Sequence, residues 1–108
     1  MELKRLRQIL KALGDDTRLR IINLLKTRRL TVKEIHSALK ISQPAASKHL
    51  ITLRLLKIVN DKREGNFIYY SLSKDPEIEK IISFIFEEFK NLPAFVNDRE
   101  KLGFAPLR

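Results

Sequence analysis

Apolar residues recur at helical spacing in several separate stretches of the chain. Leu3, Leu6, Ile9, Leu10 and Leu13 make the first stripe, over residues 3–13. Gly14 stops it, and Asp15 or Asp16 caps a second helix over about 16–27 with Leu19, Ile22, Leu24 and Leu25 turned inward. Thr31 and Glu34 are spaced as a T-x-x-E capping box, which starts a third helix lined by Val32, Ile35 and Leu39. Lys40-Ile41 makes a turn. Ser42 caps a fourth helix over about 42–56, with Pro44 in its first turn, where a missing N–H costs little.

The period then changes. Ile58–Lys62 and Phe67–Ser71 read as two strands around the turn Arg63-Glu64-Gly65-Asn66, a hairpin over 58–72. Asp75-Pro76 opens a last helix to about Leu92, which Pro93 stops. Residues 94–108, with Gly103 and Pro106, read as an extended or loosely packed tail. The expected class is α+β, mostly α with a β-hairpin wing. It is a winged helix-turn-helix of about five helices and a two-stranded antiparallel wing, filling one domain over 1–92, with a tail over 93–108.

Such an order places one helix in a major groove and a hairpin beside it. Measured from Ala46, Leu50, Leu53 and Lys57 turn inward on the fourth helix, whereas Pro44, Ser47, Lys48 and Ile51 turn outward. Small residues such as Ala45 and Ser47 let the backbone approach DNA. Gln43 suits adenine, Ser47 suits several base edges, and Lys48 suits guanine or phosphate, with Arg54 at the margin. Ser42 and the free N–H groups beside it suit a phosphate. His49, about 60° from the inward direction, is expected half-buried and bonded to backbone at the edge of this surface. His36 is expected in the core. Lys62, Arg63 and Asn66 supply the wing.

Charge sharpens this picture. Of a net +9, residues 1–74 carry 17 basic and 6 acidic side chains, whereas residues 75–108 carry 5 and 7. The positive charge therefore travels with the helix-turn-helix, as a phosphate partner requires. The chain has no cysteine, which excludes disulfides, thiolate metal sites and thiol sensing. Two isolated histidines make a poor metal site, so no cofactor is expected. There is no Gly-rich phosphate loop and no nucleophile–base set, so an enzyme is not expected. No apolar run nears the ~20 residues that span a bilayer, and the charged N terminus does not resemble a secretion signal. The expected place is the cytoplasm, at the nucleoid.

Three segments resemble the ArsR/SmtB family of winged-helix repressors. Leu10-Lys11-Ala12-Leu13-Gly14-Asp15-Asp16-Thr17-Arg18-Leu19-Arg20-Ile21-Ile22 is similar to the family's "LADPTRLRIL", Ser42–Leu50 to "SQPTVSRHL", and Arg63-Glu64-Gly65-Asn66 with Tyr69-Tyr70-Ser71-Leu72 to "REGRWVYYRL". The resemblance spans about residues 5–90. It implies a homodimer that occupies an inverted-repeat operator and leaves it when an inducer binds. Where many members carry "ELCVCDL", this chain has Thr31 and Lys33 at the two cysteine positions, and residues 75–92 contain no His. The family's usual metal and thiol chemistry is therefore not expected.

The last helix is apolar on more than one side, which calls for two packing partners. Its stripe of Ile78, Ile81, Ile82, Ile85 and Phe89, with Phe86 beside it and Phe84 turned roughly away, is the expected dimer surface, completed by Leu3, Leu6 and Ile9. Partners are thus operator DNA, a second copy of the chain and an organic effector. The alternatives are an architectural, weakly specific DNA-binding protein, or a winged helix given over to protein contacts.

Overall fold

The computed structural model describes residues 1–103. Among them are α1 (Leu3–Leu13), α2 (Asp16–Leu25), β1 (Leu30–Thr31), α3 (Val32–Leu39), α4 (Gln43–Leu55), β2 (Val59–Glu64), β3 (Phe67–Leu72), α5 (Pro76–Phe89) and α6 (Pro93–Lys101). The helix starts follow from their caps. Asp15 accepts the Arg18 backbone N–H, Thr31 and Glu34 form the reciprocal capping box, Ser42 accepts from Ala45, and Asp75 accepts from Glu77 and Ile78. Each such cap is worth ~1 kcal/mol against alanine.

The helix-turn-helix is α3–turn–α4. Lys40 takes the left-handed conformation at φ 56 and lets the chain reverse between the two helices. Ala46, Leu50 and Leu53 hold α4 to the core with no exposure. That inward face meets α2 and α3, whose Ile21, Ile22, Leu24, Ile35 and Leu39 are also buried. Arg5 donates to the Leu56 carbonyl and ties α1 to the end of α4.

The wing is an antiparallel pair with Glu64 opposite Phe67, so Gly65 and Asn66 make a two-residue turn. Gly65 sits at φ +61, a conformation that glycine enters without a Cβ penalty. β1 adds a third strand, giving the order β1-β3-β2, with Leu30 opposite Tyr70 and Thr31 opposite Tyr69. The two-stranded wing is as expected, and β1 is an addition that the sequence did not show. Two residues are too few to show alternation, and Leu30 joins the sheet because burying it completes the core.

Other expectations change at the helix ends. α2 stops at Leu25, and α4 stops at Leu55, so Lys57 leaves the helical rotation, takes φ 58 and lies exposed. α5 ends at Phe89, and Pro93 does not merely stop a helix but opens α6, where its missing N–H is harmless. The count becomes six helices among the described residues. The expected loose tail is instead helical over Pro93–Lys101. Phe95 packs on Phe86 with ring centroids 5.3 Å apart, and Asp98 and Arg99 are buried against α2. Residues 104–108, including Pro106 of the expected tail, lie outside the described residues.

Candidate nucleic-acid interface

α4 begins with an exposed polar turn. Ser42, Gln43, Pro44 and Lys48 are exposed, while Ala45 and Ser47 are half-buried. The Ser42 hydroxyl oxygen accepts the Ala45 N–H at 3.2 Å, so one lone pair is used in capping while its own hydrogen stays available to donate. Ile51 lies outward as expected, and Leu55 is exposed too, at 72%.

His49 is half-buried as expected, but its partner differs. Nδ1 lies 3.2 Å from Arg18 Nη1 and 4.0 Å from the Asp15 carboxylate. A guanidinium can only donate, so Nδ1 accepts and Nε2 carries the hydrogen. Arg18 in turn donates to the Ala12 carbonyl, so His49 is anchored to the α1–α2 junction and not to a local carbonyl. Asp15 is held below the ordinary aspartate pKa range, chiefly by the Arg18 backbone N–H. His36 is half-buried and not a core residue, because it lies one position beyond the inward line through Ile35 and Leu39.

The wing stands next to α4. Arg54 reaches across to Asp61 of β2 at 3.1 Å and pins the helix to the hairpin. Arg63 folds back over the turn, its Nε donating to the Gly65 carbonyl at 3.2 Å, and Lys62 and Asn66 are exposed. One outer face of the sheet also carries residues that the sequence did not single out. Arg29 stacks over the Tyr69 ring at 4.2 Å and pairs with Glu64 at 2.8 Å, while Lys62 lies 3.8 Å from the same carboxylate. The Arg29 hydrogen bond holds the Glu64 carboxyl below the usual glutamate range and raises the pKa of Arg29. Phe67 shares this face, its ring 6.3 Å from Tyr69. Arg29 lies 35 positions before Glu64, and only the β1–β3 pairing, invisible in the pattern, brings them together.

The structure divides the expected dimer surface. Ile9 of α1 and Ile78, Ile82 and Phe86 of α5 are buried in the protomer's own core, the last three because they line the inward side of α5. Leu6, Ile81 and Ile85 are half-buried, and Leu3 and Phe89 are exposed. Phe84, at 75% exposure, and Leu92 extend the outer apolar side of α5 and the turn after it. Among the described residues, no group of three or more His, Cys, Asp or Glu side chains is placed to hold a metal ion, and no helix is long and apolar enough to cross a membrane.

Comparison with known proteins places this geometry. Residues 15–61 match the profile described as bacterial regulatory protein, arsR family. The transcriptional repressor SdpR of Bacillus subtilis (strain 168) is 42% identical over 65 residues, covering 60% of this chain and 72% of its own. HlyU of Vibrio cholerae, a transcriptional activator by name, is 36% identical over 77 residues, covering 71% and 70%. Its solved structure superposes with a TM-score of 0.74 at 33% identity over 82% of this chain and 98% of that one. A solution structure from Mycobacterium bovis, described as a homodimeric winged helix-turn-helix DNA-binding domain, gives a TM-score of 0.72 at 25% identity, covering 83% of each chain.

Proposed function

The chain belongs to the arsR family of bacterial regulatory proteins and is a DNA-binding transcriptional regulator, and from that premise we propose that it works as a homodimeric repressor on an inverted-repeat operator. The observation that carries the reading is the exposed start of α4, where Gln43 in the first turn and Lys48 in the second are exposed beside the capped helix end. Ala45 and Ala46 donate to Ser42 and Pro44 has no N–H, so that end offers the Gln43 N–H and the Ser42 hydroxyl to a phosphate, while the Gln43 side chain offers a two-point contact to adenine and Lys48 reaches guanine or the backbone. Ser42, Pro44, Ala45 and Ser47 allow close approach. Lys62, Arg63 and Asn66 contact the flanking groove from the wing, and Arg54 fixes the angle between the two elements through Asp61. His49 supports α4 from behind.

Two copies joined through the outer side of α5 and the start of α1 would set the reading helices roughly 34 Å apart, one DNA turn. The exposed Leu3, Phe84 and Phe89, with half-buried Ile81 and Ile85, support this joint. Occupying promoter DNA blocks polymerase. The same placement beside a promoter could recruit it, and the activator name of HlyU is the observation that keeps that second reading. Without cysteine, release from DNA depends on something other than a thiol or a thiolate-bound metal.

Fluorescence anisotropy on the chain's own upstream promoter and on a scrambled duplex tests this. A preference of ~10³ at two protomers per site is expected, with Gln43→Ala costing roughly 1–3 kcal/mol on the promoter only. Lys48→Ala should weaken both duplexes alike. Equal affinity for both duplexes refutes sequence-specific repression in favour of architectural binding, and unchanged affinity in both variants refutes α4 as the reader.

A further inference from the structure

A second concentration of positive charge lies away from α4. Between the end of α2, the loop before β1, the end of β3 and α5 is an open cleft of about 370 Å³. Lys26, Arg28, Arg29 and Lys74 line it, against one acid, Glu79. Arg28 is paired with Glu34, and Arg29 with Glu64, but both acids stand outside the cleft wall. Lys26 and Lys74 make no ion pair among the described residues. Placing the two cations without an ion pair, Lys26 and Lys74, on one concavity beside the paired Arg28 and Arg29 favours an anion-bound state over the empty one.

The α2 C terminus alone would repel an anion, since its carbonyl groups carry partial negative charge. Here the Leu24 carbonyl is covered by both the backbone N–H and the hydroxyl of Thr27. The floor, formed by Leu25, Leu72 and Ile82, is apolar. A cleft of this size suits a small molecule and not a duplex. No residue of α4 or of the wing tip, 62–66, takes part in it.

We infer that this cleft binds a small organic polyanion, with phosphate or carboxylate groups on Lys26 and Lys74 and a carbon body on the apolar floor. One wall is the base of the wing and another is α5, so a bound anion draws these two elements together. The site itself stands on the cleft alone. Its control of DNA affinity rests on the operator-binding reading above.

Proton–nitrogen correlation spectra of the full-length chain, titrated with pyrophosphate and separately with citrate, test the site. Saturable shifts at the amides of residues 26–29, 73–74 and 83 are expected for at least one probe, with Kd at or below about 1 mM. The double variant Lys26→Gln/Lys74→Gln should lose them while its other resonances stay in place. Absence of saturation with both probes overturns the site, as does persistence of the shifts in the double variant. Shifts confined to 43–48 and 62–66 overturn it too, because the anion would then be imitating DNA backbone. At matched ionic strength, the saturating probe should change promoter affinity about fivefold or more. Unchanged affinity overturns the coupling, whereas absence of promoter binding without any probe refutes the operator reading and leaves the anion titration to judge the site by itself.

Discussion

Replacing Glu64 by glutamine tests how the wing manages its charge. Within β2–turn–β3, Lys62 and Arg63 are balanced by Asp61 and Glu64, so the hairpin as a whole carries no net charge. Glu64 engages two cations, Arg29 at 2.8 Å and Lys62 at 3.8 Å. Its carboxyl is held below the usual range by the Arg29 hydrogen bond, so it stays ionised through the window of about pH 6 to 8. The pair is exposed, and its loss should leave folding almost unchanged. On DNA the carboxylate repels phosphate and occupies cations that could meet it. If the variant frees one cation per protomer for a phosphate, the slope of log K against log salt steepens by about 0.9 per protomer, or about 1.8 per dimer. The ratio of variant to wild-type affinity then rises about twelvefold as salt falls from roughly 200 to 50 mM. Anisotropy on one promoter duplex across that range measures both slopes. Parallel slopes would refute the masking argument, and weaker binding at every salt would show that Glu64 instead positions Arg29 for the contact.

Asp15→Ala should cost about 1 kcal/mol in urea unfolding at neutral pH through loss of the α2 cap. Because the folded pKa is lowered, wild-type Asp15 contributes fully above the ordinary aspartate value and loses that contribution as pH falls through the lower folded value, so the two proteins should converge as acid titrates the folded carboxylate. Lys57→Gly should raise stability by about 0.5–1 kcal/mol, since φ 58 favours glycine, and a melting temperature that falls would contradict this. Arg99 is buried, and among the described residues its Nε and Nη2 have no partner and only Asn23 accepts from it, so Arg99→Met, which keeps the Asn23 bond to Phe95, should raise stability by about 1 kcal/mol in urea unfolding at fixed protein concentration, and a loss would contradict this. Phe84→Glu should shift sedimentation from dimer to monomer with the helical spectrum unchanged, and a retained dimer would remove the outer side of α5 from the interface.

The fold was legible where a local rule was complete. Asp15, Thr31, Ser42 and Asp75 each carry a capping signal that needs only neighbours in sequence, and each caps a helix in the structure. The hairpin was legible for the same reason, since a polar, Gly-containing turn between strand-like runs is a local signal, although Arg63 and Glu64, expected in the turn, pair within β2 and leave only Gly65-Asn66 to turn. What was missed depends on distant partners. β1 is a strand only because β3 lies beside it. α6 has a weak helical stripe of its own and holds its place through Arg20–Asp98, a two-point pair at 2.7 and 2.8 Å, and through Asn23 donating to the Phe95 carbonyl. Those contacts join residues more than 70 positions apart, and no window of local pattern contains them.

The sequence singled out Gln43, Lys48, Lys62, Arg63 and Asn66, which the structure leaves exposed, but the electrostatics around them were not legible. Counting charges gave the first 74 residues a large positive balance, yet a count assigns every cation equally to DNA. The structure ties Arg54 to Asp61, Arg29 to Glu64 and Arg28 to Glu34, and leaves Lys48 in α4 and Lys26 and Lys74 in the cleft without an ion pair among the described residues. The paired cations set geometry, holding the hairpin against α4 and β1 against the sheet. The unpaired ones have charge left for a ligand. Other cations, Lys11, Lys33, Lys40 and Lys57 among them, are also without an ion pair among the described residues, but Lys48 stands on the proposed reading helix and Lys26 and Lys74 share one cleft beneath the wing against α5. In a regulator, DNA affinity has to be present in one state and weakened in another, and a single basic surface cannot report a second ligand. Two separated basic sites joined through one hairpin can, because an anion at the proposed cleft site would act on the base of the element whose tip is proposed to meet DNA.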